Sequence, residues 1–392
     1  MPISPVENPL NSSAPCRLYD AQMQNNHSAT GLKALEDRKN NGTMNTSQPN
    51  ETPPPRIGVV MLQCGEKEAM LEDCVRTLEG QTWGDFRVWL VVNGDKSGNA
   101  ERVAERHPGL ELIRLEENRG WSGGNNAGIR AALAAGVEWV WLLNNDTLLE
   151  PDCVEHLMEY VDAHPEAKVL SPLILDTQVP PQVAFQGGKI DFKNYEIRDC
   201  ASLEEFLSLK KPEYPYIMGC AMLIHRDVFA KIGIIDERFF LYCEDSDFSW
   251  RALQAGFGLA VVPEAKLRHL GGQGTGGYQS ISPFRNYHIF RSAWFFWKKR
   301  LGFVEFHTDF TRAYLAKRFI AGQVSRPSWE LQAHCQALWA CLWHRWGTGK
   351  MVECPNWFRR FAERRAWVMV ALLGWDFGTL WGSLWKCRRK VA

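Results

Sequence analysis

Between residues 57 and 143 the chain alternates apolar runs with amphipathic stretches. IGVVML (57–62), FRVWLVV (86–92), LELIRL (110–115) and VEWVWLL (137–143) read as strands. The stretches around 67–80, 99–106 and 122–136 read as helices. Strands that are apolar at nearly every position are buried on both faces, so the pattern predicts a parallel sheet covered by helices. After residue 165 the rhythm loosens. AKVLSPLIL (167–175) and QVAFQGGKI (182–190) read as strands of a second half, and IMGCAMLIHRDVFAKIG (217–233) as a strand running into a helix. From Arg285 onward helices dominate. FRNYHIFRSAWFFWKKR (284–300) predicts a helix with one apolar and one basic face.

Composition refines the domain picture. Residues 1–55 are rich in Asn, Ser, Thr and Pro with few large apolar side chains, and they predict a disordered tail ending at Pro53-Pro54-Pro55. The remainder divides into an α/β domain at 56–284 and a helical region at 285–392. The net charge is zero, but residues 281–392 hold 19 Lys+Arg, 6 Asp+Glu and 11 of the 17 Trp. A basic, Trp-rich segment suits a membrane surface, and equally a packed extension that forms a homodimer. Ala366–Trp385 is the most apolar window, but Asp376 and four Gly/Ser interrupt it, and it predicts an interfacial or packed helix. The eleven Cys are dispersed and form no CxxC pair. Together with the absence of a charged-then-apolar leader in 1–55, they point to the cytoplasm, with 285–392 on the inner face of the cell membrane. No nucleic-acid partner is expected.

Four stretches carry candidate chemistry. WVWLLNNDTLLEPD (139–152) ends a strand in Asn144-Asn145-Asp146. That knot is either a turn or a ligand site at the carboxyl end of a parallel strand, where Asp146 would be a hard ligand. Glu244, Asp245 and Asp247 precede an amphipathic helix. They either cap it or, beside the apolar FFLY run, supply a base of raised pKa. His269 precedes a Gly-rich loop that lacks GK[ST] and so is no P-loop. ENRGWSGGNNAGI (117–129) opens a helix with glycines, which suits either a tight turn or close approach to an anion.

In order, N-x-G-W-x-x-G-N-N-x-G-I, LLNND, G-x-x-M-L-x-x-R, F-x-x-x-x-E-D-x-D-x-x-x-R and H-x-x-G resemble family 2 inverting glycosyltransferases of the GT-A fold. The branch containing bacterial rhamnosyltransferases is particularly similar. The resemblance spans about 57–300. It implies a mostly parallel central sheet flanked by helices, here with a C-terminal helical extension. It also implies sugar transfer from a nucleotide-diphosphate donor to a hydroxyl of a glycan or lipid-linked acceptor, in cell-surface polysaccharide synthesis. Asp146 and His269 would hold Mg²⁺ or Mn²⁺, and Asp245 would be the catalytic base. Gln63, Asn93, Asn118, Gly120, Gly124, Asn125, Asn144, Asn145 and Arg251 would contact the donor, and Glu244 and Trp250 the acceptor. Asn144 replaces the first acid of the family's metal motif. Val92 stands where a nucleoside-binding acid is common, with Asp95 as the nearby alternative. The alternative functions are a sugar-phosphate nucleotidyltransferase and an inactive membrane-associated scaffold.

Overall fold

The computed structural model describes residues 54–65, 67–271, 282–320 and 328–365. Residues 1–53 of the expected 1–55 tail, most of the Gly-rich loop and the window Ala366–Trp385 lie outside the described residues.

The first half is a repeating strand–helix unit. It runs β1 (Ile57–Gln63), α1 (Glu68–Glu79), β2 (Phe86–Asn93), α2 (Asn99–Arg106), β3 (Leu110–Leu115), α3 (Gly120–Ala134) and β4 (Trp139–Asn144). β1 is buried at every position, as its unbroken apolar run requires. α3 lies close on it because Gly128 carries no side chain; a Cβ there would sit 2.2 Å from Val60 Cγ1.

The second half contains β5 (Thr147–Leu149), α4 (Cys153–Ala163), β6 (Ala167–Leu175), β7 (Val183–Phe185), β8 (Gly188–Asp191), β9 (Glu196–Asp199), α5 (Leu203–Leu207), β10 (Glu213–Tyr216), β11 (Ala221–His225), α6 (Arg226–Ile232), α7 (Glu244–Gln254) and β12 (Gly258–His269). The main sheet has the order β3-β2-β1-β4-β11-β6-β12-β5, with β7 on β6, and β10-β8-β9 form a separate small sheet. β3, β2, β1, β4, β6 and β12 share one direction, while β11 and β5 run against them. The stretch read as a single strand at 182–190 breaks at Gly187, whose φ of +107° turns the chain from the main sheet to the small one.

α8 (Pro283–Arg300) starts at Ser282, whose Oγ accepts the Arg285 N–H at 3.2 Å, with Pro283 next in line. A helical run over 303–320 follows, with π-helical turns at Phe306–Phe310 and Ala316–Ile320. Helices Ser328–Leu342 and Asn356–Arg364 complete the described part. α8 does not have the expected apolar and basic faces. It is buried nearly all round, including Arg291, and its cations gather at the end as Lys298-Lys299-Arg300. Its core residues Tyr287, Phe290 and Phe296 are continuous with Met61 and Trp141 of the sheet. Among the described residues no helix is long and apolar enough to cross a membrane.

Candidate active site

β4 ends at Asn144, turns through Asn145-Asp146, and returns as β5, antiparallel to β12. That ladder sets His269 opposite Thr147 and therefore beside Asp146. Leu270 N–H donates to the Asp146 carbonyl at 2.8 Å, and Asp146 Oδ1 lies 3.0 Å from His269 Nε2. Asp146 is 4% exposed. The contact is a direct hydrogen bond between one imidazole nitrogen and one carboxylate oxygen, the two donor atoms a divalent cation would find here. Among the described residues no group of three or more His, Cys, Asp or Glu forms a metal cluster. The Asp146 carboxylate suits a hard cation such as Mg²⁺ or Mn²⁺, whereas the His269 imidazole lies outside the oxygen set that Mg²⁺ favours.

Around this pair lies a belt of amides at the carboxyl ends of β1, β2 and β4. Asn145 Nδ2 donates to Gln63 Oε1, and Gln63 Nε2 lies 3.4 Å from Asp95 Oδ2. Trp121 Nε1 donates to Asn144 Oδ1 at 3.2 Å. Asn93 ties the end of β2 to the start of α3, donating to Gly120 O and accepting from Arg119 N. Asn118 Oδ1 accepts the Gly120 N–H at 2.7 Å. Gly120 has φ of +72°, and a Cβ there would meet the Phe240 carbonyl oxygen at 2.2 Å. This backbone junction joins α3 to the acidic loop, with Trp121 N–H donating to Phe240 O at 2.8 Å. Asn125 bonds the Trp121 carbonyl, and Gly124 packs on Leu62 and Asn93. Asn93, Asn118, Gly120, Gly124 and Asn125 thus bind the end of β2, the start of α3 and the acidic loop to one another through internal contacts. Gln63, Asn144 and Asn145 stand beside Asp146.

The acidic loop is strained. Phe240, Tyr242 and Cys243 all adopt positive φ, at 60°, 68° and 63°. Such conformations cost about 1–3 kcal/mol each and gather at functional sites. They deliver Glu244 and Asp245 to the first turn of α7. Asp245 Oδ2 accepts Gly219 N–H at 3.1 Å, and Oδ1 accepts Ser246 N–H at 2.6 Å. Burial raises its carboxyl above the ordinary range against these bonds. Glu244 is 6% exposed, and its Oε2 has no hydrogen-bond partner. Burial, then the charge of Asp245, pushes its carboxyl well up.

Two expected contacts fall elsewhere. Arg251 donates to Asp247 and to the carbonyls of Ile232 and Ile234, clamping the segment after α6. Its donors are therefore engaged in structure, not aimed at a donor phosphate. Trp250 packs between Phe192 and Tyr214, with ring centroids 4.7 and 4.6 Å away. It supports the wall of the site and is not among the residues that line the cavity.

The two sides of the site meet at the segment leading into β11. Cys220 O accepts Asn144 N–H at 2.8 Å, while the adjacent Gly219 N–H binds Asp245. Burial, then the charges of Asp146 and Asp245, pushes the Cys220 thiol well up, so one residue senses both carboxylates. Asp245 and Glu244 open onto a cavity of about 550 Å³. Its other walls include Tyr195 and Arg198 from the small sheet, Trp297 from α8, and Tyr314, Lys317 and Arg318 from the helical run. Sequence reading missed these residues. The basic, aromatic stretch was the available signal, but it pointed equally to a membrane.

Residues 58–233 match the family described as "Glycosyl transferase family 2". The chain is 28% identical over 227 residues to the N-acetylglucosaminyl-diphospho-decaprenol L-rhamnosyltransferase of Mycobacterium tuberculosis, covering 53% of this chain and 73% of that protein. It is 24% identical over 214 residues to the dTDP-rhamnosyl transferase RfbF of Shigella flexneri, covering 52% of this chain and 66% of that protein, just under two thirds. Among solved structures, the mannosyltransferase PcManGT from Pyrobaculum calidifontis in complex with GDP-Man and Mn²⁺ is 18% identical, with a TM-score of 0.47 over 84% of this chain and 91% of that one. Joined to the sheet order and the site at its carboxyl edge, the match over residues 58–233 makes this part of the chain similar to family 2 glycosyltransferases.

Proposed function

We propose that the protein transfers a deoxyhexose, rhamnose in the first instance, from a nucleotide-diphosphate donor to a hydroxyl of a glycan or lipid-linked glycan, with inversion. The observation that carries this reading is the juxtaposition across Gly219-Cys220: the Asp146–His269 pair on one side and Asp245, facing the cavity, on the other. Asp146 and His269 would hold Mg²⁺ or Mn²⁺, which supplies positive charge to the departing diphosphate. Gln63, Asn144 and Asn145 border the donor there. Asp245 takes the acceptor's hydroxyl proton as that oxygen attacks the anomeric carbon. One base suffices for direct displacement, so no covalent sugar–enzyme intermediate is required. Asp245's raised pKa brings it closer to working pH and makes it a stronger base.

A membrane-surface acceptor is supported by the exposed Trp343 and Trp357, at 62% and 64%, with Arg345 and Arg360 exposed beside them in sequence. The test is transfer from dTDP-rhamnose to a diphospholipid-linked N-acetylglucosamine in anionic vesicles, with and without EDTA. The expected result is a rhamnosylated lipid, lost in EDTA and restored by Mg²⁺ or Mn²⁺, with the protein sedimenting with the vesicles. Full turnover in EDTA would remove the metal assignment. Protein left in the supernatant would remove the membrane one. No transfer from a panel of nucleotide sugars would remove the reading itself.

A further inference from the structure

The cavity beside Asp245 is lined by two chemically different sets of charged groups. α7 contributes the carboxyls of Glu244 and Asp245, while Arg198 of β9 and Lys317 and Arg318 of the helical run contribute cations. Aromatic rings, Tyr195, Trp297 and Tyr314 among them, stand in the same wall. Such rings suit the apolar faces of a sugar, and the acids suit its hydroxyls. Neither accounts for the cations. Arg318 is held with its guanidinium 5.3 Å over the Tyr314 ring, which orients the fork. Lys317 pairs with Glu196, and Arg198 lies 3.6 Å from Glu205; all four of these side chains are at least a quarter exposed. Exposed pairs of this kind are weak and exchange readily for a doubly charged anion.

The backbone adds a second, independent observation. Lys317 and Arg318 lie in the π-helical turn Ala316–Ile320, the second such turn in a run of eighteen residues that also holds Phe306–Phe310. π-Turns are rare; they occur mostly as single turns inside α-helices, and frequently at functional sites. Here the widened turn belongs to the segment that lines the cavity. Glu244 lines the same cavity, and its Oε2 is buried without a hydrogen-bond partner.

We infer that Arg198, Lys317 and Arg318 hold a phosphate or diphosphate ester carried by the acceptor, while Glu244 and Asp245 engage its sugar hydroxyls. The inference rests on the proposed function in taking this cavity as the acceptor's. It makes the helical region after residue 300 the determinant of acceptor class. The phosphate could belong to a lipid headgroup or to a free phosphorylated glycan, and both present the same oxygens to a guanidinium.

The test uses the full chain and titration calorimetry with three probes: N-acetylglucosamine on a short-alkyl diphosphate, the neutral short-alkyl glycoside of that sugar, and the sugar diphosphate without alkyl chain. The alkyl diphosphate is expected to bind at least about tenfold more tightly than the neutral glycoside. Arg198→Gln with Arg318→Gln removes that preference and leaves the neutral glycoside, the dTDP-rhamnose affinity and the thermal midpoint unchanged. Lys317→Gln produces a smaller loss, because its charge is shared with Glu196. If the alkyl-free diphosphate matches the alkyl one, the ligand is a phosphorylated glycan; if it binds more weakly, the ligand is a lipid headgroup. Either supports the cationic rim. Equal affinity of the wild-type protein for charged and neutral probes overturns it, as does a variant that weakens both in parallel or a failure of every probe to bind. Rim-dependent binding with no sugar transferred would leave the rim standing and remove the transfer reading instead.

Discussion

Replacing Asp245 with Asn is expected to lower turnover by about 10²–10⁴-fold, the usual contribution of a positioned base, with nucleotide-sugar affinity close to wild type. The substitution keeps the shape. One oxygen remains to accept Gly219 N–H or Ser246 N–H, and the first turn of α7 keeps its place. It removes the lone pair that takes a proton. Glu244→Gln is the informative companion. Glu244 lines the same cavity, but burial and the neighbouring Asp245 hold its carboxyl well above the ordinary range. The same burial disfavours its ionised form, so it is the less suited of the two acids to take a proton and the better suited to hold a hydroxyl. Glu244→Gln is expected to raise the acceptor KM while retaining most of kcat. Steady-state kinetics on both variants would separate the roles; near-normal kcat in Asp245→Asn with a lost kcat in Glu244→Gln would exchange them.

The parts of this picture that were legible in the sequence are those fixed by local pattern. β1, β2, β3 and β4 are apolar runs bounded by Gly, Asn and Asp, and their ends fall within two residues of the expected positions. Asp146 and His269 were expected at one site through resemblance, not through local pattern. Their contact depends on a return strand of three residues, β5, too short to leave a periodic signal. Arg251 looked like a phosphate ligand because charge and spacing do not reveal that two carbonyls from the segment after α6 take its donors. Trp250 was misplaced for the same reason: an aromatic in an amphipathic helix reads alike whether it lines a cavity or supports its wall. The cations of α8 suggested a membrane, yet Lys299 and Arg300 turn inward to Asp247, a contact between residues more than fifty positions apart.

That contact carries the second large effect. Asp247 is fully buried and receives Arg251 at 2.8 Å, Lys299 at 2.7 Å and Arg300. Asp247→Asn keeps the volume but leaves Arg251 and Arg300 facing a neutral amide, while Lys299 keeps Asp236 at 2.7 Å. Breaking one partner of such a network costs about 3–5 kcal/mol. The expected outcome is a lower urea midpoint at unchanged slope, together with loosening of α8 from the catalytic half. The pH dependence has a definite sign. Burial raises the Asp247 carboxyl, but Arg300, Lys299 and Arg251 outweigh it and hold the group below the ordinary value. A depressed carboxyl contributes stability above its unfolded pKa of about 3.9 and loses it as pH falls through the folded value. Wild-type protein should therefore lose this stabilisation only in acid, and Asp247→Asn should lack that part of the acid transition. A variant as stable as wild type at neutral pH would show that the triad of cations does not anchor α8.

The central claim is a single displacement, with Asp245 taking the acceptor's proton on the side away from the departing diphosphate. Its most direct measurement is the anomeric configuration of the newly formed bond, read by proton NMR on product made from a donor of known configuration. The opposite configuration is expected in the product. The same configuration would require two successive displacements or a front-side path, and would contradict it.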